Sequence, residues 1–291
     1  ALAVDATSAC AAVATLVHEM ASQVGDLIAH PYPVTPWHGD YLHHADLAEA
    51  AVAQLANVGA DVSVSVKRST RVRAEGALAQ RFVRPNWRTE GADWDFTITE
   101  VDAAELIAST SASVNGWLGP RWVRTGWFHS YRVLGGSITD PAQKHMMQAK
   151  LARLRAAEYN GIVERINLER ELVQSLTLDC SAIVAGYTLK RDSFNAQFSA
   201  GIENISFDAL EGLSSPMFLR TVKLKDFPWN GWLQLGLDGR PDAAWNPAGG
   251  FTDAFGRFAW YALSDPVAIP SPYEAAWTLN RISQVEASPR K

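Results

Sequence analysis

The sequence predicts an α+β fold, and three observations predict it. Apolar residues recur at helical spacing over 7–29, 42–57 and 139–176. They alternate with polar residues over 62–67, and the chain beyond Leu178 breaks into short strand-like runs between Gly, Pro and aromatic residues. The 291 residues, 47% hydrophobic and 20% charged, have a globular composition, which excludes a disordered, collagenous or coiled-coil chain. A chain of this length buries about three quarters of its unfolded surface. A single compact domain over 1–291 is expected, with one weak subdivision near 138.

The first helix, over 7–29, has Ser8 as its cap and an apolar stripe through Val13, Leu16, Val17, Met20, Val24, Leu27 and Ile28. Pro31, Pro33 and Pro36 stop it, because proline cannot continue a helix and biases its predecessor to extended geometry. A second helix over 42–57 runs through Leu47, Ala51 and Leu55 and ends near Gly59. These two form an N-terminal helical pair. Val62, Val64 and Val66 then alternate with Ser63, Ser65 and Lys67, the pattern of a strand with one wet face. Residues 70–75, 78–84, 94–99 and 121–134 carry further strand formers, so 60–136 reads as an antiparallel sheet punctuated by glycines.

Asp140-Pro141 is a helix start, a capping carboxylate followed by proline in the first turn. The pattern continues to Leu176 and is broken at Asn160-Gly161, which predicts a long central helix or a helical hairpin. Ile183–Tyr187 and Met217–Leu224 read as strands. Phe227 to Trp232 is a turn, 241–250 a long loop holding Trp245, and 258–263 a short strand or helix. The C-terminal part is thus irregular, strand-rich and Trp-rich.

The net charge of −5 argues against broad electrostatic binding to nucleic acid or anionic lipid. The apolar run Ala9–Val17 is too short to span a bilayer, so no membrane span is expected. Two cysteines, Cys10 and Cys180, are too far apart in sequence for a Cys-x-x-Cys redox motif, and they are too few for a four-Cys zinc site. They are a candidate disulfide or two buried thiols. Such a pair in a chain otherwise free of cysteine suits an oxidising compartment, and the start Ala1-Leu2-Ala3 resembles the stub of a cleaved signal peptide. A periplasmic or secreted protein is expected.

The densest ionisable stretch is His38-Gly39-Asp40-Tyr41-Leu42-His43-His44-Ala45-Asp46. Imidazole and carboxylate are the ligands of a divalent transition metal, so His38, Asp40, His43 and His44 are candidate metal ligands. The spacing matches no His-Glu-x-x-His motif, and the alternative is a polar helix entrance with Asp40 as the cap. Several weaker features stand beside it. Gly135-Gly136-Ser137 before a helix reads as a turn rather than an anion site, because Asp140 supplies the negative cap. His145-Met146-Met147 fits an amphipathic helix better than a copper or haem ligand set. Glu203 and Asp208, among Phe194, Phe198 and Phe207, are a candidate carboxylate pair for a glycosidase or lyase.

The remaining feature is tryptophan. The chain has 11 Trp, and five of them, Trp229, Trp232, Trp245, Trp260 and Trp277, crowd its C-terminal part. Tryptophan serves cores, sugar-binding platforms and protein interfaces alike. Loops carry recognition because a scaffold holds them. Trp229, Trp232 and Trp245, with Asn230 and Arg257 nearby, are the candidate ligand-binding residues. The sequence reading is therefore an exported binding or accessory protein for a partner protein or small polar ligand. Its alternative is a metal-dependent hydrolase built on residues 38–46.

Overall fold

A computed structural model of the chain describes residues 13–18, 20, 25–61, 70–114, 120–178, 181–237, 239–241 and 251–284. Ser8, Cys10, Val24, the alternating run 62–67, Cys180 and Trp245 lie outside the described residues. The α+β class holds: helices are mixed with small two-stranded sheets. The chain divides into two compact units, each assembled from separated segments. The first takes Ala1–Pro36, Asp40–Val101 and Gly126–Leu189, the second Trp37–Gly39, Asp102–Thr125 and Lys190–Lys291.

In the first unit, residues 13–18 and 20 are helical, and Leu16 and Met20 enter a core with Val72, Phe82, Val83 and Trp87. The helix predicted over 7–29 does not reach its far end. Ile28–Ala29 is instead a short strand, β1, later paired antiparallel with Gly186–Tyr187 (β4). A Cβ on Gly186 would run into the Ile28 carbonyl, so glycine permits the close approach. A turn of 3-10 helix at Tyr41–His43 leads into α1 (Ala45–Asp61). β2 (Val72–Glu75) and β3 (Phe96–Thr99) then pair with Val72 opposite Phe96 and Glu75 opposite Thr99.

This pair is parallel, not antiparallel as read from the sequence. Parallel strands need a crossover, and α2 (Ala77–Phe82), placed where residues 78–84 were expected to be extended, helps supply it. Glu100, just beyond β3, accepts the Leu78 N–H at 2.9 Å and so caps α2.

The second half of this unit is helical. α4 (Gly126–Leu134) occupies a stretch expected as strand. Trp127, Tyr131 and Leu134 lie at i, i+4 and i+7, a helical period that aromatic and β-branched residue types disguise. α5 (Pro141–Ala156) and α6 (Gly161–Leu176) form the predicted hairpin. Asp140 caps α5 through the Gln143 N–H at 2.8 Å with Pro141 in the first turn. Ala157, left-handed at φ 55°, ends it, and the N–H of Glu158 returns to the Arg153 carbonyl at 2.9 Å. α6 packs against both α4 and α5, burying Leu168, Leu172, Val173 and Leu176 with Met147, Leu151 and Leu154. Met147 is core and Met146 exposed, the ordinary pattern of an amphipathic helix.

The second unit holds α3 (Ala103–Val114), α7 (Pro216–Thr221) and α8 (Ala254–Leu263), with hairpins β5–β6 (Ile202–Glu203 with Lys223–Leu224) and β7–β8 (Ala268–Pro270 with Trp277–Leu279). Met217–Leu224, expected as one strand, is mostly α7. Ser215-Pro216 is the same kind of start signal as Asp140-Pro141. Asp102 caps α3 at Ala104 and Glu105, and Asp253 caps α8 at Gly256.

At the centre of this unit Arg124 is buried between two carboxylates. It donates to Glu211 at 2.7 Å, to Asp208, and to the Ser271 carbonyl at 3.4 Å. The second oxygen of Asp208 accepts the N–H groups of Leu210 and Glu211 at 2.8 and 3.0 Å. The fork fixes the 208–212 turn, which a shorter ammonium could not hold at both ends. Removing the guanidinium leaves two buried carboxylates without their cation. Arg124→Ala is expected to lower stability by about 3–5 kcal/mol, read as a shift of the urea midpoint. A shift within the scatter of surface substitutions would contradict this placement.

Candidate functional site

Two places concentrate chemistry, one in each unit. In the first unit, a buried polar chain runs from Tyr32 through His44 and Asp40 to the start of α4. The N–H groups of Gly126 and Trp127 donate to the two oxygens of Asp40 at 2.7 and 3.3 Å. Asp40 therefore is a cap, but for α4 rather than for the helix that follows it in sequence. A carboxylate at a helix N-terminus also meets the positive end of the helix dipole.

Burial pushes the Tyr32 phenol well above its ordinary value, so the hydroxyl keeps its proton, and it shares a hydrogen bond of 2.8 Å with His44 Nδ1. His44 is completely buried, and desolvation lowers its pKa from 6.5 to about 4. The ring is neutral near pH 7. Its Nε2 faces Asp40 Oδ2 at 4.0 Å.

Around this chain, Arg170 on α6 places both nitrogens on Asp46 at 2.6 and 2.7 Å and reaches the His43 carbonyl at 2.5 Å. The hydrogen-bonded guanidinium holds Asp46 down at about 2. His43, with about a third of its side chain exposed, turns Nδ1 toward Glu169 Oε2 at 3.6 Å. Glu169 is 4% exposed. Burial raises its pKa to about 7 against the opposing charge of Arg165, whose Nε lies 3.5 Å from Oε1.

Of the four candidate metal ligands, the structure thus engages Asp40 with backbone N–H groups, His44 with Tyr32, and His43 with the neighbourhood of Glu169. His38 belongs to the other unit. Among the described residues, no group of three or more His, Cys, Asp or Glu side chains is arranged to hold a metal ion. Tyr32, Glu169 and Arg170 were not singled out from the sequence. Their contacts to His44 and His43 span 12 to 127 residues, beyond any local pattern.

The second place is the loop after β6. Trp232 is 93% exposed and Trp229 75%, with Phe227 also in solvent. The loop borders a cleft of about 540 Å³ lined in part by Ala200, Leu224, Asp226, Asn230, Trp232 and Gln234. It is tied down locally. Asp226 accepts the Ala200 N–H at 3.3 Å, Lys225 N–H reaches the Gly201 carbonyl at 3.0 Å, and the Lys223 ammonium sits 4.5 Å above the Trp229 ring. Asn230 takes the left-handed conformation at φ 58° beside Gly231, where a Cβ would strike Leu224 Cδ1 and the Phe227 carbonyl.

The structure therefore brings Trp229, Asn230 and Trp232 to one exposed loop. Arg257, grouped with them in the sequence reading, is a core residue of α8 that donates to the Tyr261 hydroxyl at 2.8 Å. Asp226 and Gln234 were missed because the β5–β6 pairing that frames the cleft is only two residues long. Of the carboxylate pair, Glu203 is exposed on β5, while Asp208 is buried against Arg124. Gly135–Ser137 is a single 3-10 turn ahead of the Asp140 cap.

Comparison with protein-family models, with curated proteins and with solved structures finds no match to this chain. No helix among the described residues is long and apolar enough to cross a membrane.

Glu169 and His44 pull stability in opposite directions with pH. The folded pKa of Glu169 lies above its ordinary 4.5, so its contribution is present below that value and is lost as pH rises toward 7. The folded pKa of His44 lies below its ordinary 6.5, so its contribution is present above that value and is lost as pH falls toward 4. Glu169→Gln removes the first effect and keeps the second. The variant is expected to gain on the wild type between about pH 5 and about pH 7.5, read from urea midpoints at both values. Parallel midpoints at the two pH values would contradict the buried placement of this carboxyl.

Proposed function

We propose that this chain is a binding protein, periplasmic or secreted, that recognises a partner protein or a small polar ligand through the exposed aromatic loop Phe227–Trp232. The observation that carries the reading is the exposure of Trp232 and Trp229, at 93% and 75%. An indole side chain of about 150–250 Å² yields several kcal/mol when covered, at roughly 25 cal/mol per Å². Left in water, a cluster of such side chains is a liability unless something covers it. The polar cluster in the first unit supports a structural role, since its members are engaged with one another and with the backbone of α4.

The double substitution Trp229→Ala with Trp232→Ala tests the reading. Both side chains are exposed, so the fold is expected to survive with a change in stability within about 0.5 kcal/mol. Binding is read as retention of material from an extract of the source cells on immobilised protein. The wild type is expected to retain a defined component that the double variant loses. A variant that unfolds would show these residues to be core, and one that retains the same component would place recognition elsewhere.

A further inference from the structure

We infer that the cleft beside Trp232 is a carbohydrate subsite, taking one or two neutral pyranose rings of a glycan. The inference rests on the recognition reading above and names the ligand class for that site. Shape is the first argument. A concavity of about 540 Å³ lies within the range of small-molecule sites, roughly 300–1,000 Å³. A protein interface of ordinary size is broader, with a fully buried core and a rim.

The platform is the second argument. Trp229 already carries the Lys223 ammonium 4.5 Å from its ring centroid, whereas Trp232 stands 93% exposed. The negative π-face of an indole attracts the slightly positive C–H groups on the apolar face of a sugar ring, as it attracts the positive edge of another aromatic ring.

Polar chemistry is the third. Hydroxyl groups both donate and accept. Asn230 and Gln234 each offer an amide donor and an acceptor, and Asp226 offers a carboxylate acceptor, all lining the same cleft as Trp232. Charge narrows the class further: an anionic ligand would meet the Asp226 carboxylate at the wall, while the Lys223 and Lys225 ammonium groups are engaged by the Trp229 ring and the Ala196 carbonyl. The loop is also preorganised by its bonds to Ala200, Gly201 and the Ala196 carbonyl, which limits the entropy lost on binding.

The test is titration of the full chain with soluble hexasaccharides of β-1,4-glucose, α-1,4-glucose, β-1,4-N-acetylglucosamine, β-1,4-xylose and β-1,4-mannose, followed by tryptophan fluorescence and calorimetry. At least one is expected to bind with a Kd between about 10 μM and about 1 mM. Trp232→Ala is expected to weaken it by about tenfold or more, while Trp232→Phe keeps part of the affinity and both variants keep the wild-type Tm. Asp226→Asn, which retains an acceptor, is expected to weaken it less than Trp232→Ala. Binding that is indifferent to Trp232→Ala would overturn the assignment of the cleft. No binding of any hexasaccharide up to about 10 mM would overturn the ligand class. In that case, loss of the extract component by the double tryptophan variant would leave the recognition reading standing with a protein or another small molecule as its ligand. No loss there would remove both.

Discussion

The carboxylate of Asp40 holds the first unit in its observed form. The first two N–H groups of α4, those of Gly126 and Trp127, are satisfied by Asp40, 86 and 87 residues away in sequence. Left bare inside the protein, those donors would cost free energy comparable to lost hydrogen bonds. α4 is also the helix against which α6 packs, and α6 in turn packs on α5. One buried carboxylate therefore ties the polar entrance before α1 to the helical half of the unit. His44 and Tyr32 back it: a neutral imidazole and a protonated phenol place polar atoms near Asp40 without adding a second buried charge.

The second unit solves an analogous problem with a cation. Arg124 bridges Asp208 and Glu211 and pins the turn between them, while burial pushes the Glu211 carboxyl toward its protonated form. Among its aromatic residues Phe218, Phe258 and Tyr261 are buried, while Phe227, Trp229 and Trp232 stand in solvent on a loop braced by the β5–β6 hairpin, and Phe198 and Tyr273 are exposed elsewhere in the unit. That contrast separates what maintains this unit from what it presents outward. The proposed recognition site accordingly follows exposure rather than the density of ionisable residues, which is highest in the buried chain of the first unit.

Much of this was legible in the sequence where the signal is local. The α5–α6 hairpin follows from Asp140-Pro141, the apolar period and the Asn160-Gly161 break, all within one stretch of chain. Asp40 was legible as a cap, but which helix it caps was not, because the contact spans most of a hundred residues. α4 was misread as strand because Trp127, Phe128 and Tyr131 are strand-forming types set at a helical period, and burial of Gly126 to Ser130 and of Leu134 overrode their propensity. The parallel β2–β3 pair was misread because four-residue strands carry no signal of their partner's direction. At the aromatic loop, Trp229 and Trp232 were visible as residues. Their exposure depends on the β5–β6 pairing and the Asn230-Gly231 turn, which the composition does not reveal.

Amide hydrogen exchange in Asp40→Ala tests most directly whether the polar stretch at 38–46 serves the fold. The account predicts that the Gly126 and Trp127 amides lose protection, with a drop in stability of about 1–2 kcal/mol, the range of a lost helix cap. Asp40→Asn, which keeps one acceptor oxygen, should fall between the two. Unchanged protection at both amides, together with unchanged stability, would show that Asp40 is free for another role and would contradict the structural reading of the cluster.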